Sequence, residues 1–163
     1  MNNLKIWKWN KKPRTMIRFI KNGDIFCFTF NKEKYYFGRI ISKSIVGHIA
    51  EIFNFYSESP SIDENKIKSA KSLTPPFIID SYLLFDKKYE SDSDWQIIGH
   101  QENYKPTNMD DIYFSYGAEN SRKKIDIWGN EYSITEKESM NIPILTPYSS
   151  YHIKKILEKF SIE

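Results

Sequence analysis

The residues that could take part in catalysis are few, and their spacing fits no common catalytic or metal-binding motif. The three histidines, His48, His100 and His152, form no H-x-x-H or H-E-x-x-H pattern, which helical zinc sites require. We interpret His48 and His100 as polar residues at strand ends, and His152 as a solvated residue near the start of the last helix. The sequence therefore predicts neither a metal site nor a cofactor.

The remaining reactive side chains also lack the partners that catalysis needs. The single cysteine, Cys27, lies within the apolar run GDIFCFTF. A reactive cysteine needs exposure and a lowered thiol pKa, whereas free cysteines are usually buried, so we expect Cys27 to be inert. The acidic pairs Asp92/Asp94 and Asp110/Asp111 do not have calcium-loop spacing, and no G-x-x-x-x-G-K-[ST] phosphate loop occurs. We therefore predict a protein that is not an enzyme.

Composition narrows the class of protein. The 163 residues suit one domain with a real core, since 40% are hydrophobic and 16% aromatic. The net charge is only +3, and 20 of the 24 basic residues are lysine, whereas planar recognition of bases or phosphates usually uses arginine. The chain has no apolar run near the ~20 residues that cross a bilayer, no signal peptide and one cysteine. We expect a cytoplasmic protein with no membrane partner.

Most of the chain has the pattern of β-strands. Aromatic and β-branched residues dominate its apolar segments. A polar turn at 31–34 joins two apolar runs, which predicts an antiparallel hairpin. Both faces of the hairpin carry large apolar side chains, so we place it at the centre of a sheet. The predicted strands are 5–9, 24–30, 35–42, 48–57, 77–85, 95–100, 112–117 and 123–129.

Helix signals occur in the middle and at the end of the chain. Ser61 or Asp63 can cap a short helix, and residues 135–138 match a capping box. Near the C-terminus, apolar residues recur with helical spacing at 153, 156, 157 and 160. We predict one α+β domain over residues 1–163, with a mainly antiparallel twisted sheet that could include an SH3-like barrel element, a short middle helix and a C-terminal amphipathic helix.

Three short motifs follow one another in a fixed order: Gly-Asp-Ile-Phe at 23–26, Phe-Gly-Arg-Ile at 37–40 and Trp-x-x-Ile-Gly at 95–99. Together they resemble the immunity protein 26 family of bacterial polymorphic toxin systems over about residues 21–101. The residues that carry the resemblance are Gly23, Asp24, Phe26, Gly38, Arg39, Trp95 and Gly99.

We expect structural roles for these motif residues. Gly23 suits a tight turn, and Asp24 can accept backbone N–H groups there. Gly38 suits a bulge or a close contact, and Arg39 can pair with Asp24 or with another acid.

The resemblance implies a cytoplasmic antidote that binds a cognate toxin domain and blocks it without catalysis. Such a protein acts as a monomer or a small homo-oligomer, and its contacts come from surface aromatic and charged residues. Two surfaces are candidates. Tyr35 and Tyr36 lie at the hairpin end, and Glu90, Asp92 and Asp94 lie in an acidic loop.

A nucleic-acid-binding protein is the alternative hypothesis. The opening hairpin also resembles that of SH3-like barrels that bind RNA or act as endoribonucleases. Basic and aromatic residues alternate at 5–14 and 32–39, and such surfaces can hold single strands. The acidic stretch at 90–94 interrupts a continuous basic groove, so we place nucleic-acid binding second.

Overall fold

Two antiparallel sheets form the framework of the protein. The structure, a computed structural model, describes residues 3–9, 19–44, 46–85 and 93–160. The first sheet contains β1 (Leu4–Ile6), β2 (Asp24–Thr29), β3 (Tyr35–Ser44), β4 (Gly47–Ser57), β5 (Phe77–Ile79) and β6 (Asp94–Gln101), in the order β1-β6-β2-β3-β4-β5. The second contains β7 (Tyr113–Tyr116), β8 (Lys123–Asp126) and β9 (Glu131–Ser133), in that order.

Four short helices accompany the sheets: α1 (Glu64–Ser69), α2 (Ser81–Leu84), α3 (Glu136–Ser139) and α4 (Ser150–Lys159). Asp63 caps α1, and the predicted capping box opens α3. The predicted α+β class with an antiparallel sheet is therefore confirmed. The larger sheet is open, with β1 and β5 as its edges, and no barrel closes in the described part of the chain. None of the helices described here is long and apolar enough to span a bilayer.

The predicted central hairpin is confirmed. β2 is buried along its whole length and pairs with β3 on one side and β6 on the other. Phe26 and Phe28 face one side of the sheet, where the Phe28 ring stacks on Trp95 with centroids 4.0 Å apart. Ile25 and Cys27 face the opposite side. This alternation places β2 at the centre of a core that has two faces.

Each face of the large sheet is covered by a helix. Ile153 and Leu157 of α4 pack into the cluster that contains Phe28, as the periodicity of the C-terminal segment predicts. Ile67 of α1 packs into the cluster that contains Cys27. Burial on both faces therefore fixes the sheet between the two helices.

The segment 77–85 departs from the strand that its sequence predicts. β5 ends at Ile79, and the chain turns into α2, where the N–H groups of Leu83 and Leu84 donate to the Asp80 carbonyl oxygen. Ser81 is buried against His48 instead of facing solvent. A short apolar run suits a buried helical turn as well as a strand, and here tertiary packing favours the turn.

Candidate functional site

The first sequence motif forms a tight corner at the start of β2. Gly23 has φ +91°, and a Cβ on it would lie 2.6 Å from the Gln101 carbonyl oxygen. The buried Asp24 carboxylate accepts the Lys21 N–H at 2.8 Å, and its other oxygen lies 2.7 Å from His100 Nδ1. These contacts tie the turn to β6.

The motif arginine lies in a polar cluster on the neighbouring strand. Arg39 Nε lies 3.0 Å from Glu51 Oε1, although the N–H group is not aligned for a hydrogen bond, so charge dominates this pair. The guanidinium also donates to Gln101 Oε1 at 2.9 Å and lies 4.9 Å from the Tyr104 ring centroid. The sequence leaves open whether Arg39 pairs with Asp24 or with another acid, and in the structure its ion-pair partner is Glu51. Arg39 is directly opposite Glu51 on β4, and directly opposed side chains share a face.

Gly38 allows three strands to pack closely. A Cβ at this position would overlap the Glu51 carbonyl oxygen and would lie 2.7 Å from Cε2 of Phe26. The pairing of β3 with β4 also shifts register between Tyr36 and Gly38. The position therefore combines a close contact with a strand irregularity.

The nearest arrangement to a catalytic pair is sealed inside the fold. His48 Nδ1 lies 2.6 Å from Ser81 Oγ, and both residues are buried. Burial, assisted by the nearby positive charge of Lys43, lowers the pKa of His48 to about 4, so its imidazole is neutral near pH 7. A serine nucleophile must reach its substrate, and this pair has no access to solvent. We interpret it as a structural contact between β4 and α2.

The contacts of Cys27 and His152 are structural. Cys27 is buried, and burial raises the pKa of its thiol far above the ordinary value, with the charge of Asp94 acting in the same direction. His152 is exposed and joins Ser149 in capping α4. Among the residues that the structure describes, no three His, Cys, Asp or Glu side chains come close enough together to hold a metal ion.

Tyr35 and Asp94, one from each surface that the sequence proposes for toxin contact, lie at the same end of the large sheet. Thr29 lies opposite Tyr35 on β3 and opposite Asp94 on β6. Tyr35 is half-buried and packs edge-to-face on Trp9. Tyr36, expected to stand out, is instead only 7% exposed and stacks on Phe28 in the core.

The acidic part of this surface is only partly within the structure. Asp94 is half-buried at the start of β6. Glu90 and Asp92 lie outside the described residues. A role of Tyr35 and of the three acids in toxin contact stays a prediction.

The aromatic residues of the nucleic-acid hypothesis are engaged in packing where the structure describes them. Trp7 Nε1 donates to the Ile97 carbonyl oxygen at 2.8 Å, and its ring packs on the main core. Trp9 and Tyr35 contact each other, and Phe37 is fully buried. These rings are therefore not a free stacking platform for bases.

The structure has a groove, between the C-terminal helices and the second sheet, that the sequence does not predict. It has a volume of about 400 Å³ and is lined by Met140, Ile144, Phe160, Arg122 and Lys159, among others. The apolar residues at 140–148 follow neither strand nor helix periodicity, and prolines interrupt them. The sequence signal for the groove was therefore an apolar segment that neither a strand nor a helix would bury along one face.

Comparison with known proteins gave a match to a protein family. The model of one protein family, described as immunity protein 26, matches residues 21–126, which is more than half of the chain. The match runs from the corner at Gly23 through β8 and contains every motif residue named above. No curated protein and no solved structure gave a match.

Proposed function

Because the chain belongs to the immunity protein 26 family, we propose that it is an immunity protein that binds and neutralises a cognate bacterial toxin domain. Inhibition is direct and non-catalytic, by formation of a protein–protein complex in the cytoplasm. The family match, which covers β2 to β8, is the observation that carries this proposal.

The chemistry of the described residues supports inhibition by binding. The closest approach to a nucleophile and base, Ser81 with His48, is buried. The polar cluster of Arg39, Glu51 and Gln101 links strands of the sheet, and the charge of Arg39 is paired with that of Glu51 within it. These groups stabilise a rigid scaffold, and a rigid scaffold loses little conformational entropy when it binds a partner.

The charge of the chain indicates what kind of inhibitor it is. A net charge of +3 does not suit an inhibitor whose whole surface imitates the phosphates of a nucleic acid. Recognition therefore rests on a local surface, where a few anchor residues supply most of the binding energy.

Co-expression with its toxin tests this function. The chain is produced together with the toxin domain encoded by the adjacent gene, and cell survival and co-purification are measured. We expect survival and a one-to-one complex. An unrelated immunity protein expressed at the same level is the control and should not protect. Failure to protect against, or to bind, any toxin domain encoded at its own locus contradicts the proposal.

A further inference from the structure

Exposed apolar side chains are concentrated in one part of the chain. Among the residues that the structure describes, eleven large hydrophobic side chains are exposed, and seven of them lie between 128 and 160. This region begins beyond the range that the family model matches. Clustered exposed apolar side chains mark interaction sites far more often than scattered ones do. The C-terminal part of this chain is therefore the place to look for a contact surface of its own.

Three of these side chains form the rim of the groove. Met140 is 77% exposed, Ile144 is 57% exposed and Phe160 is 45% exposed. Phe77 and Tyr148 lie deeper in the groove, with their rings stacked 4.9 Å apart. The groove volume of about 400 Å³ lies at the low end of the range for ligand pockets. Such a groove can receive one or two large side chains from a partner.

The rim is held in place by backbone hydrogen bonds. Ser115 N–H donates to the Pro143 carbonyl oxygen, and Leu145 N–H donates to the Ser115 carbonyl oxygen, both at 2.8 Å. Tyr148 N–H donates to the Ile78 carbonyl oxygen at 2.7 Å. The segment is thus tied to both sheets, which holds the backbone on either side of Ile144 in place. A preformed groove binds with little ordering cost.

The groove also carries positive charge that the protein only partly neutralises. The buried Nε of Arg122 has no hydrogen-bond partner in the described part of the chain. Its Nη2 lies 3.7 Å from Oε1 of Glu136, a long contact in which the Glu136 side chain is 68% exposed. Lys159 makes no ion pair with a described residue, and its Nζ lies 5.7 Å from the Phe160 ring centroid. A carboxylate next to an apolar side chain would complement this surface.

We propose that the groove between α3, α4 and the 140–148 segment is the docking site for the toxin domain. It would receive an apolar side chain of the toxin, with an adjacent carboxylate paired to Arg122 or Lys159. This inference rests on the function proposed above and names the surface that performs it. The matched part of the chain then supplies the scaffold and Arg122, and the C-terminal part supplies the apolar rim and Lys159.

Surface substitutions test the apolar contact. Met140→Asp and Ile144→Asp place a charge on the rim at exposed positions, so the fold should persist. Leu83→Asp on α2 is the matched control, because Leu83 is 49% exposed and does not line the groove. Affinity is measured by biolayer interferometry with the toxin domain encoded by the adjacent gene. We expect each groove variant to raise Kd by about tenfold or more, and the control to change it by less than about threefold.

A charge reversal tests the electrostatic part. Lys159→Glu should raise Kd, and the increase should shrink between low and high salt as screening grows. Lys105→Glu reverses an exposed lysine away from the groove and serves as the control. Circular dichroism and thermal melts of each variant show that the fold is kept.

The outcomes separate this inference from the function itself. If the wild-type chain binds the toxin and both groove variants bind equally well, the groove is not the docking site, although the function stands. If the wild-type chain does not bind, the function and the inference both fail. If light scattering shows that Met140→Asp changes the mass of the free protein and leaves the toxin Kd unchanged, a second copy occupies the groove, and the inference is wrong.

Discussion

Replacement of Gly38 by alanine should destabilise the protein strongly. The added Cβ would overlap the Glu51 carbonyl oxygen and would lie 2.7 Å from Cε2 of Phe26. Neither neighbour can yield easily, because the carbonyl belongs to β4 and the ring is fully buried. Backbone strain does not contribute to the loss of stability, since Gly38 does not have a positive φ. The cost therefore comes from overpacking.

The size of the effect follows from these contacts. Overpacking a close-packed core costs about 1–3 kcal/mol, and a clash with backbone belongs at the upper end, so we expect about 3 kcal/mol. For a chain of this length that corresponds to a fall in Tm of roughly 6–12 °C. Urea unfolding followed by tryptophan fluorescence measures the free energy, and differential scanning calorimetry measures Tm.

Two further variants identify the cause. Phe26→Leu shortens the ring that contacts the new Cβ but leaves the Glu51 carbonyl in place. Gly38→Ala should therefore cost less in the Phe26→Leu background, measured against Phe26→Leu alone, than it does in the wild-type chain, but the cost should not vanish. At Gly129, which has φ +89°, an added Cβ would have no neighbour within 4 Å. Gly129→Ala therefore measures backbone strain alone, of about 1–2 kcal/mol. A Gly38→Ala protein as stable as wild type would refute the close packing of β2, β3 and β4.

Three other predictions concern the polar and reactive groups of the core. Glu51→Ala leaves the Arg39 guanidinium without its acid at a site where both side chains are about 15% exposed. The free energy of unfolding in urea should therefore fall by about 2–4 kcal/mol, and a loss below about 0.5 kcal/mol would contradict this. The folded-state pKa of His48 is about 4, below its ordinary 6.5, so the unfolded chain binds a proton that the folded chain does not. Stability should therefore fall by up to about 3 kcal/mol as pH drops from 6.5 to 4, and His48→Gln should remove that part of the profile; an unchanged profile would show that other groups cause it. Cys27 should react with a thiol reagent only after unfolding, because it is buried and the pKa of its thiol is raised; rapid labelling of the native protein would count against the two-faced core.

Local patterns predict the hairpin, and tertiary contacts decide the rest of the fold. The alternation of Phe26 and Phe28 with Ile25 and Cys27 is contained in four consecutive residues, so the two faces of β2 can be recognised from sequence. The insertion of β6 between β1 and β2 depends on pairs of residues 65 to 97 positions apart in the sequence, and no local signal specifies it. The turn after Ile79 escapes prediction for the same reason, since burial of Ser81 against β4 selects it.

The candidate surfaces show the same limit. Tyr36 is buried because it lies opposite Phe28, and the register of the hairpin determines that position. Adjacent side chains in a strand point to opposite faces of the sheet, so sequence alone leaves open which of the two tyrosines is exposed. The groove depends on two backbone hydrogen bonds, one donated by Ser115 to Pro143 and one donated by Leu145 to Ser115. Those residues are distant in sequence, so only the folded chain brings Met140 and Ile144 to its rim.

The most direct test of the central claim is a calorimetric titration of the toxin domain encoded by the adjacent gene with the wild-type chain, combined with an assay of residual toxin activity at each point. Non-catalytic inhibition predicts a single binding transition at one chain per toxin and a linear loss of activity that ends at the same equimolar point. Loss of toxin activity at catalytic amounts of the chain, or no binding at any ratio, would contradict the account.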